Sequence, residues 1–442
     1  MRRRSTGSTA IILLTLFAIG CGQTYRPVAT AIPEPGGDPN NLRHAIVVNQ
    51  NPGAALPACV AGPCQGSATS VDTTGDTNVG NVVAGVGPVH AGFVTSLRTY
   101  VANRGDNSVT RFLTSSPFTS PVTIAMPAGC SPDFVASRNT GTAYVACPGI
   151  NRIAVLNAAL DSIVTTATVG SNPRRLTESL NGNKVFALNY NGGSVSVMST
   201  LDNVVTNTVA VGGNPVWSDL NQDGSLLFVT NEAGYVSVID TVTEALAATP
   251  TPVPVNQITL TGASVPGFTT FDPTKRRLYV VDSPGGKVFV IDAVSTSPNF
   301  MTVIATIPVG SNPTSITALR NGAKAYVSNC GSNSVSVIDT TSLTVVNTIP
   351  TGTCPIWLTS PTDSSRVIVG VQGSGVTTDP NGIVTAGGLN FADPPRILTI
   401  NTQTDSVLVM LKPPQQNPTC DPVAAANNYC ALQVPTFVTM AP

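Results

Sequence analysis

The sequence predicts an all-β chain of eight four-stranded antiparallel sheets, standing around one axis as a single β-propeller. Three observations carry that prediction. A block of roughly 42 residues recurs along most of the chain, which is the period of a four-stranded propeller blade. Each block holds short β-branched runs parted by Gly- and Asn-rich turns. The two chain ends hold complementary fractions of one more block.

The recurrence is clearest at one tetrapeptide. It runs from Ile46-Val47-Val48-Asn49 through YVAN ending at Asn103, YVAC at Cys147, FALN at Asn189 and FVTN at Asn231. It continues as YVVD at Asp282, YVSN at Asn329 and a degraded IVGV at Val371. From Asn103 to Cys147, Asn189 and Asn231 the intervals are 44, 42 and 42 residues. A second strand follows in step: SVTRFLT from Ser108, SVSVMST from Ser194, YVSVIDT from Tyr235, SVSVIDT from Ser334 and RILTINT from Arg396. With strands lettered a (after a Pro), b (the tetrapeptide), c (VSVIDT) and d, blade 3 is predicted at 173–179, 184–190, 194–199 and 203–211. A lone sheet of this kind has two apolar faces and cannot bury both, but stacking copies around an axis does.

The N-terminal part supplies strands b, c and d at 44–49, 67–73 and 79–86, with no strand a. The C-terminal run Val434-Pro435-Thr436-Phe437-Val438-Thr439-Met440 reads as a strand a with nothing behind it. Joined, they close the ring and hide its edges. Seven complete units and this composite make eight blades; seven is the alternative if the degraded unit around Val371 is lost. The units resemble the YVTN-family β-propeller repeat, also seen in surface-layer-like propellers, over about 44–442. That resemblance implies a propeller with an exported or surface location, and no particular chemistry.

Ahead of the repeats lie Arg2-Arg3-Arg4 and a short apolar run at 10–19, too short to span a bilayer. The run ends in Ala18-Ile19-Gly20-Cys21, which resembles a bacterial lipobox with Ala18 where Leu is usual. The expectation is a signal peptide at 1–20, lipidation at Cys21 and a flexible Pro/Gly-rich tether to residue 43. Ordinary signal cleavage and free secretion is the alternative. A membrane-anchored lipoprotein on the periplasmic or cell-surface side follows from the first reading.

Eight further cysteines in an exported chain read as disulfides. The strand register pairs Cys130 with Cys147 and Cys330 with Cys354, each a d–a connection beside the end of a strand b. Cys59–Cys64 and Cys420–Cys430 are expected to close small loops on the same face.

Connections at 50–66, 248–263, 373–394 and 412–433 are enlarged, and all four are expected on the face of the b–c and d–a loops. A rigid scaffold with variable loops on one face suits recognition. The residue two after each strand-a proline forms a second pattern: His90, Phe134, Arg175, Trp217, Phe268, Ser315, Trp357 and Phe437. Five of these eight are aromatic, where aromatics make up 5% of the chain. They are expected near the mouth of the central channel, stacking a ligand or wedging blades together. Arg174, Arg175 and His90 are the polar members and suit an anion.

Chemistry is sparsely provided for. The chain has two histidines, and its charged residues are 10% with a net charge of −1, which argues against a nucleic-acid partner. No G-x-S-x-G, H-E-x-x-H, P-loop or haem-attachment motif occurs. Asp240 and Asp339 read as turn caps, and Lys275-Arg276-Arg277 as a solvated charge cluster in an a–b turn. A catalytic channel would have to use Arg175, Glu178 and Asp219. The expected function is therefore a membrane-tethered, monomeric binding or scaffold protein of the cell envelope, without cofactor or metal. Its partner would be a protein, a glycan or a small ligand on the loop-rich face. The alternatives are a channel enzyme of the lactonase or dehydrogenase propeller type and an architectural surface-layer component.

Overall fold

The computed structural model describes residues 44–51, 65–94, 98–114, 121–136, 141–247, 257–378, 384–385, 393–412 and 433–441. The signal peptide, Cys21, the tether, and the Cys59, Cys64, Cys420 and Cys430 expectations lie outside these residues. Within them the chain forms eight antiparallel blades in which strands a, b, c and d are neighbours in that order. Blades 1 to 7 occupy 88–125, 134–168, 173–210, 215–259, 266–308, 313–350 and 355–411. The degraded unit around Val371 is a full blade, so the ring has eight blades and not seven. Blade 3 comprises Pro173–Glu178, Lys184–Asn189, Ser194–Ser199 and Val205–Ala210, within two residues of the predicted bounds.

Burial explains the strand order. Strands b and c are covered on both faces: Lys324–Asn329 is buried at every position but its first. Strand d buries far less, one residue of seven in Ser162–Thr168, because it forms the outer edge. The core lies between blades rather than inside any one. Phe186, Leu188 and Val197 of blade 3 pack on Leu220, Leu227 and Val229 of blade 4. Val281, Val288 and Val290 of blade 5 meet Ile316, Ala325 and Val327 of blade 6 in the same way.

The repeat motif is explained by its own contacts. The Asn ending strand b is fully buried and its amide donates to hydroxyls on strand c. Asn189 Nδ2 reaches Ser194 and Ser196 Oγ at 3.0 and 2.9 Å, and Asn103 reaches Ser108 and Thr110 at 3.0 and 2.9 Å. This is why the Asn and the S-x-S of the next strand recur together. The Gly of the preceding V-G turn lies against the same amide. A Cβ on Gly170 would stand 2.5 Å from Asn189 Nδ2, and one on Gly310 2.7 Å from Asn329 Cγ. In blade 5 Asp282 replaces the Asn and accepts the backbone N–H groups of Ser264 and Val265 at 3.0 and 2.8 Å. In blade 2 Cys147 replaces it and is bonded to Cys130; a second disulfide joins Cys330 to Cys354. Both bridges agree with the sequence register and fit an oxidising, extracytoplasmic environment.

Adjacent blades are also clasped at the a–b/c–d end. The first residue of strand b reaches an acid in the c–d turn of the next blade: Lys184 to Glu244 at 2.7 Å, Lys324 to Asp405 at 2.7 Å, Arg366 to Asp76 at 3.1 Å and Arg98 to Asp161 at 3.2 Å. Arg277 belongs to this set through its bond to the Thr340 carbonyl, so the 275–277 run is only partly the solvated cluster expected. The Asp240 and Asp339 carboxylates cap their own turns, accepting N–H groups at 2.7–2.9 Å.

Blade 8 is the composite. Val434–Ala441 pairs antiparallel with His44–Gln50, which pairs with Gln65–Asp72 and then Thr77–Val86. The 248–263 enlargement differs from expectation. Ala245–Leu246 and Gln257–Thr259 both pair with Tyr235–Asp240, so the insertion interrupts strand d of blade 4 instead of following it. The inserted residues 248–256 themselves lie outside the described residues.

Candidate functional site

The site is built by a bulge repeated around the ring. Opposite strand b, strand a carries one extra residue just after its proline in seven of the eight blades; in blade 3, Pro173 faces Asn189 and Arg175 faces Leu188, leaving Arg174 unpaired between them. Proline has no N–H for the ladder, so the pairing lapses there. A bulge bends the strand and re-aims the side chain that follows. That side chain is the residue two after the proline.

The re-aimed residues meet at the axis. His90 stacks on Phe134 with centroids 3.7 Å apart and touches Phe437 at 4.2 Å. Trp357 lies 5.1 Å from Phe437, 5.0 Å from Phe268 and 5.5 Å from Trp217. Trp217 also contacts Phe268 at 4.6 Å and Phe134 at 6.0 Å. Since Trp217 belongs to blade 4 and Trp357 to blade 7, these contacts cross the ring and do more than wedge neighbours. Ser315 is the exception: it is buried and bonded to Ser328 Oγ at 2.9 Å.

Arg175 is the one cation in this layer. Its guanidinium lies over the rings of Trp217 and Phe134, 5.0 and 5.4 Å from their centroids. Nη1 donates to Asp133 Oδ2 at 3.3 Å and to the Arg174 carbonyl at 2.9 Å, and Nε has no partner. Asp133, buried in the connection entering blade 2, also takes Arg104. Burial lowers the Arg175 pKa, and the charges of Arg104 and Arg174 act in the same sense against Asp133. Arg174 itself turns away and covers the Tyr190 ring at 4.3 Å. His90 is buried, and burial, then the Arg175 charge, holds its pKa well below the ordinary histidine value.

A cavity of about 120 Å3 remains above the rings, bordered by His90, Asp133, Arg175, Trp217, Trp357 and Phe437, and by Gln50 at the end of a strand b. Gln50 Oε1 accepts the Val384 N–H at 2.7 Å. Val384 belongs to a short ribbon, Thr377–Thr378 with Val384–Thr385, inside the enlarged 373–394 connection. The cavity and that loop therefore share an edge.

Arg175, Glu178 and Asp219 do not converge. Glu178 lies three residues along the strand from Arg175, roughly 10 Å away on the other face. It is buried near Tyr144, whose hydroxyl is pushed up to about 12 by burial first and Glu178 second. Asp219 accepts the Phe271 N–H at 2.9 Å and ties blade 4 to blade 5. Among the described residues no three His, Cys, Asp or Glu side chains are grouped to hold a metal ion. What sequence reading missed was Asp133; its only sign is its place beside Pro132, directly before Phe134.

No protein-family model matches the chain, and no curated protein matches it. Solved structures do. A structure of "dihydro-heme d1 dehydrogenase NirN in complex with DHE" aligns at a TM-score of 0.64 with 13% identity, over 86% of this chain and 74% of that one. Apo AztD from Citrobacter koseri aligns at 0.57 with 9% identity, over 90% and 98%. Virginiamycin B lyase from Staphylococcus aureus aligns at 0.50 with 15% identity, over 64% and 91%. At these identities the likeness establishes the eight-bladed propeller and no activity.

Proposed function

We propose that the chain is an exported, membrane-tethered binding or scaffold protein of the cell envelope, which presents its b–c/d–a face to a partner. The observation that carries this reading is the hydrogen bond from Val384 to Gln50, which brings an enlarged loop to the rim of the axial cavity. Recognition then has one continuous surface, with variable loops around a rigid aromatic floor. The catalytic reading is less well supported: stacked rings occupy the axis, and the three candidate groups stand apart. Export is supported by the two disulfides, and the tether by the Ala18-Ile19-Gly20-Cys21 sequence.

The test has two arms. Replacing 373–394 and 412–433 by short turns is expected to abolish partner capture from native envelope; unchanged partners would reject the face. Labelled-lipid incorporation is expected for the wild type and absent in Cys21→Ser, and equal labelling would reject the anchor.

A further inference from the structure

The a–b/c–d face carries an apolar pattern that the fold does not use. In the short c–d turns the two residues at the tip are exposed, and in blades 2, 3 and 4 one of the two is aliphatic. These are Leu160, Leu201 and Val242, which are 72, 95 and 78% exposed. The same two positions are Thr341-Ser342, Gln403-Thr404 and Thr74-Gly75 in blades 6, 7 and 8. A single exposed aliphatic is ordinary on a protein surface, but three at one turn tip in consecutive blades form a strip. The turns are fixed without them. Asn157 Oδ1 accepts the Ala159 and Leu160 N–H groups at 2.8 and 3.1 Å, and Asp240 Oδ1 accepts those of Val242 and Thr243 at 2.9 and 2.8 Å. Leu180, in the a–b turn of blade 3, is exposed on the same face. The chain also enters the ring here, because His44 opens strand b of blade 8 opposite Asp72, where the c–d turn of that blade begins. Residues 22–43 lie between Cys21 and His44. A flexible chain of that length averages about 25 Å end to end.

We propose that these turn tips rest in a zwitterionic lipid surface, so that the a–b/c–d face lies on the membrane and the b–c/d–a face looks away from it. The inference rests on the membrane-tethered reading, and adds to it the side of the ring that meets the bilayer. An aliphatic side chain held on a fixed turn brings little backbone freedom to lose, and it suits the boundary between headgroups and acyl chains. Three such tips bind weakly by themselves. An acyl anchor on a chain of about 25 Å keeps them near the surface at high effective concentration. The exposed acids Asp202 and Asp223 share this face and disfavour a strongly anionic surface, which is why the lipid is zwitterionic. A membrane on this side leaves the axial cavity open to a partner.

A tryptophan placed at a tip reports insertion directly. The full acylated protein is reconstituted in phosphatidylcholine vesicles whose acyl chains are brominated close to the headgroup, and its emission is compared with that in unbrominated vesicles. The chain's own two tryptophans, Trp217 and Trp357, lie at the axis, so the wild type supplies the background. Leu201→Trp and Val242→Trp are expected to shift their emission to the blue and to lose it to bromine beyond that background. Val83→Trp, on the outer strand of blade 8, and Val265→Trp, in the connection entering blade 5, are expected to match the background. All four replace exposed aliphatics, so none disturbs the core. No added quenching at the tips, or equal quenching at Val83 and Val265, would overturn the proposal. So would a concentration-dependent dimer that the tip substitutions break, since the face would then belong to a second copy of the chain. A protein that takes up labelled lipid at Cys21 but shows no tip quenching keeps the anchor and loses the docking face. Tip quenching on adding vesicles to a chain that takes up no lipid keeps the face and removes the anchor.

Discussion

Single residues in this ring act mostly by closing hydrogen bonds that a buried strand end would otherwise leave open. Asn329 is fully buried, with Nδ2 bonded to Ser336 Oγ at 2.9 Å. Asn329→Ala would leave that hydroxyl and the neighbouring strand end without a donor, and is expected to lower stability by about 1–3 kcal/mol. Chemical denaturation checks this, and a loss confined to an outer-surface range of a few tenths would reject the role. His90 makes a pH prediction with a definite sign. Its pKa is lowered in the folded chain by burial and then by Arg175, whereas an unfolded histidine titrates near 6.5. Between those two values the unfolded state binds the extra proton. Stability is therefore full above about pH 6.5 and falls as the pH drops below it, by at most about 1.4 kcal/mol per pH unit. Thermal unfolding of His90→Phe between about pH 7 and pH 5 is expected to show a shallower fall than wild type; parallel curves would refute it.

Between elements the informative contacts are the clasps from one blade to the next. Asp161 receives Arg98 and Tyr100, both at 3.2 Å, and Arg111 Nε at 2.9 Å. Burial raises its pKa, but the hydrogen bond and charge of Arg111 outweigh that and hold the carboxyl below its usual value. Removing it would take the carboxylate away from Nε and Nη2 of Arg111, itself only 9% exposed. Asp161→Ala is expected to cost about 3 kcal/mol, with Asp161→Asn losing less because its amide oxygen still accepts; equal losses would reject the charge argument. These clasps were poorly legible in the sequence, because one Lys, Arg or Asp in a turn carries no mark of the neighbour it will meet. The interruption of strand d in blade 4 was hidden for a related reason. An outer strand buries one face only, so the fragments Ala245–Leu246 and Gln257–Thr259 are too short to announce a single strand.

At the scale of the whole ring the repeat was readable because its motif is self-referring: the Gly, the Asn and the paired hydroxyls contact one another inside each blade. The centre was readable only in part. The residue two after each proline marks which side chains turn inward, but whether they wedge, plug or leave a pore depends on how eight tilted sheets converge, and no local pattern carries that distance. Asp133 escaped notice because it sits just outside the counted position. Closure was legible from the complementary ends, and it yields the strongest expectation about stability. Val434–Ala441 supplies the inner strand of blade 8, with Val434, Phe437, Val438 and Met440 all buried. At about 1.5–3 kcal/mol for each buried apolar side chain, these four account for roughly 6–12 kcal/mol. That is as large as the whole stability of a typical domain, about 5–15 kcal/mol. Ending the chain at residue 433 would also leave His44–Gln50 with an open edge toward the axis and Trp357 without Phe437. The truncated protein is expected to lose its cooperative thermal transition or to aggregate, and adding a peptide of residues 434–442 in excess is expected to restore it in part. A truncated chain that melts cooperatively at the wild-type temperature would show that the two ends do not hold the ring shut.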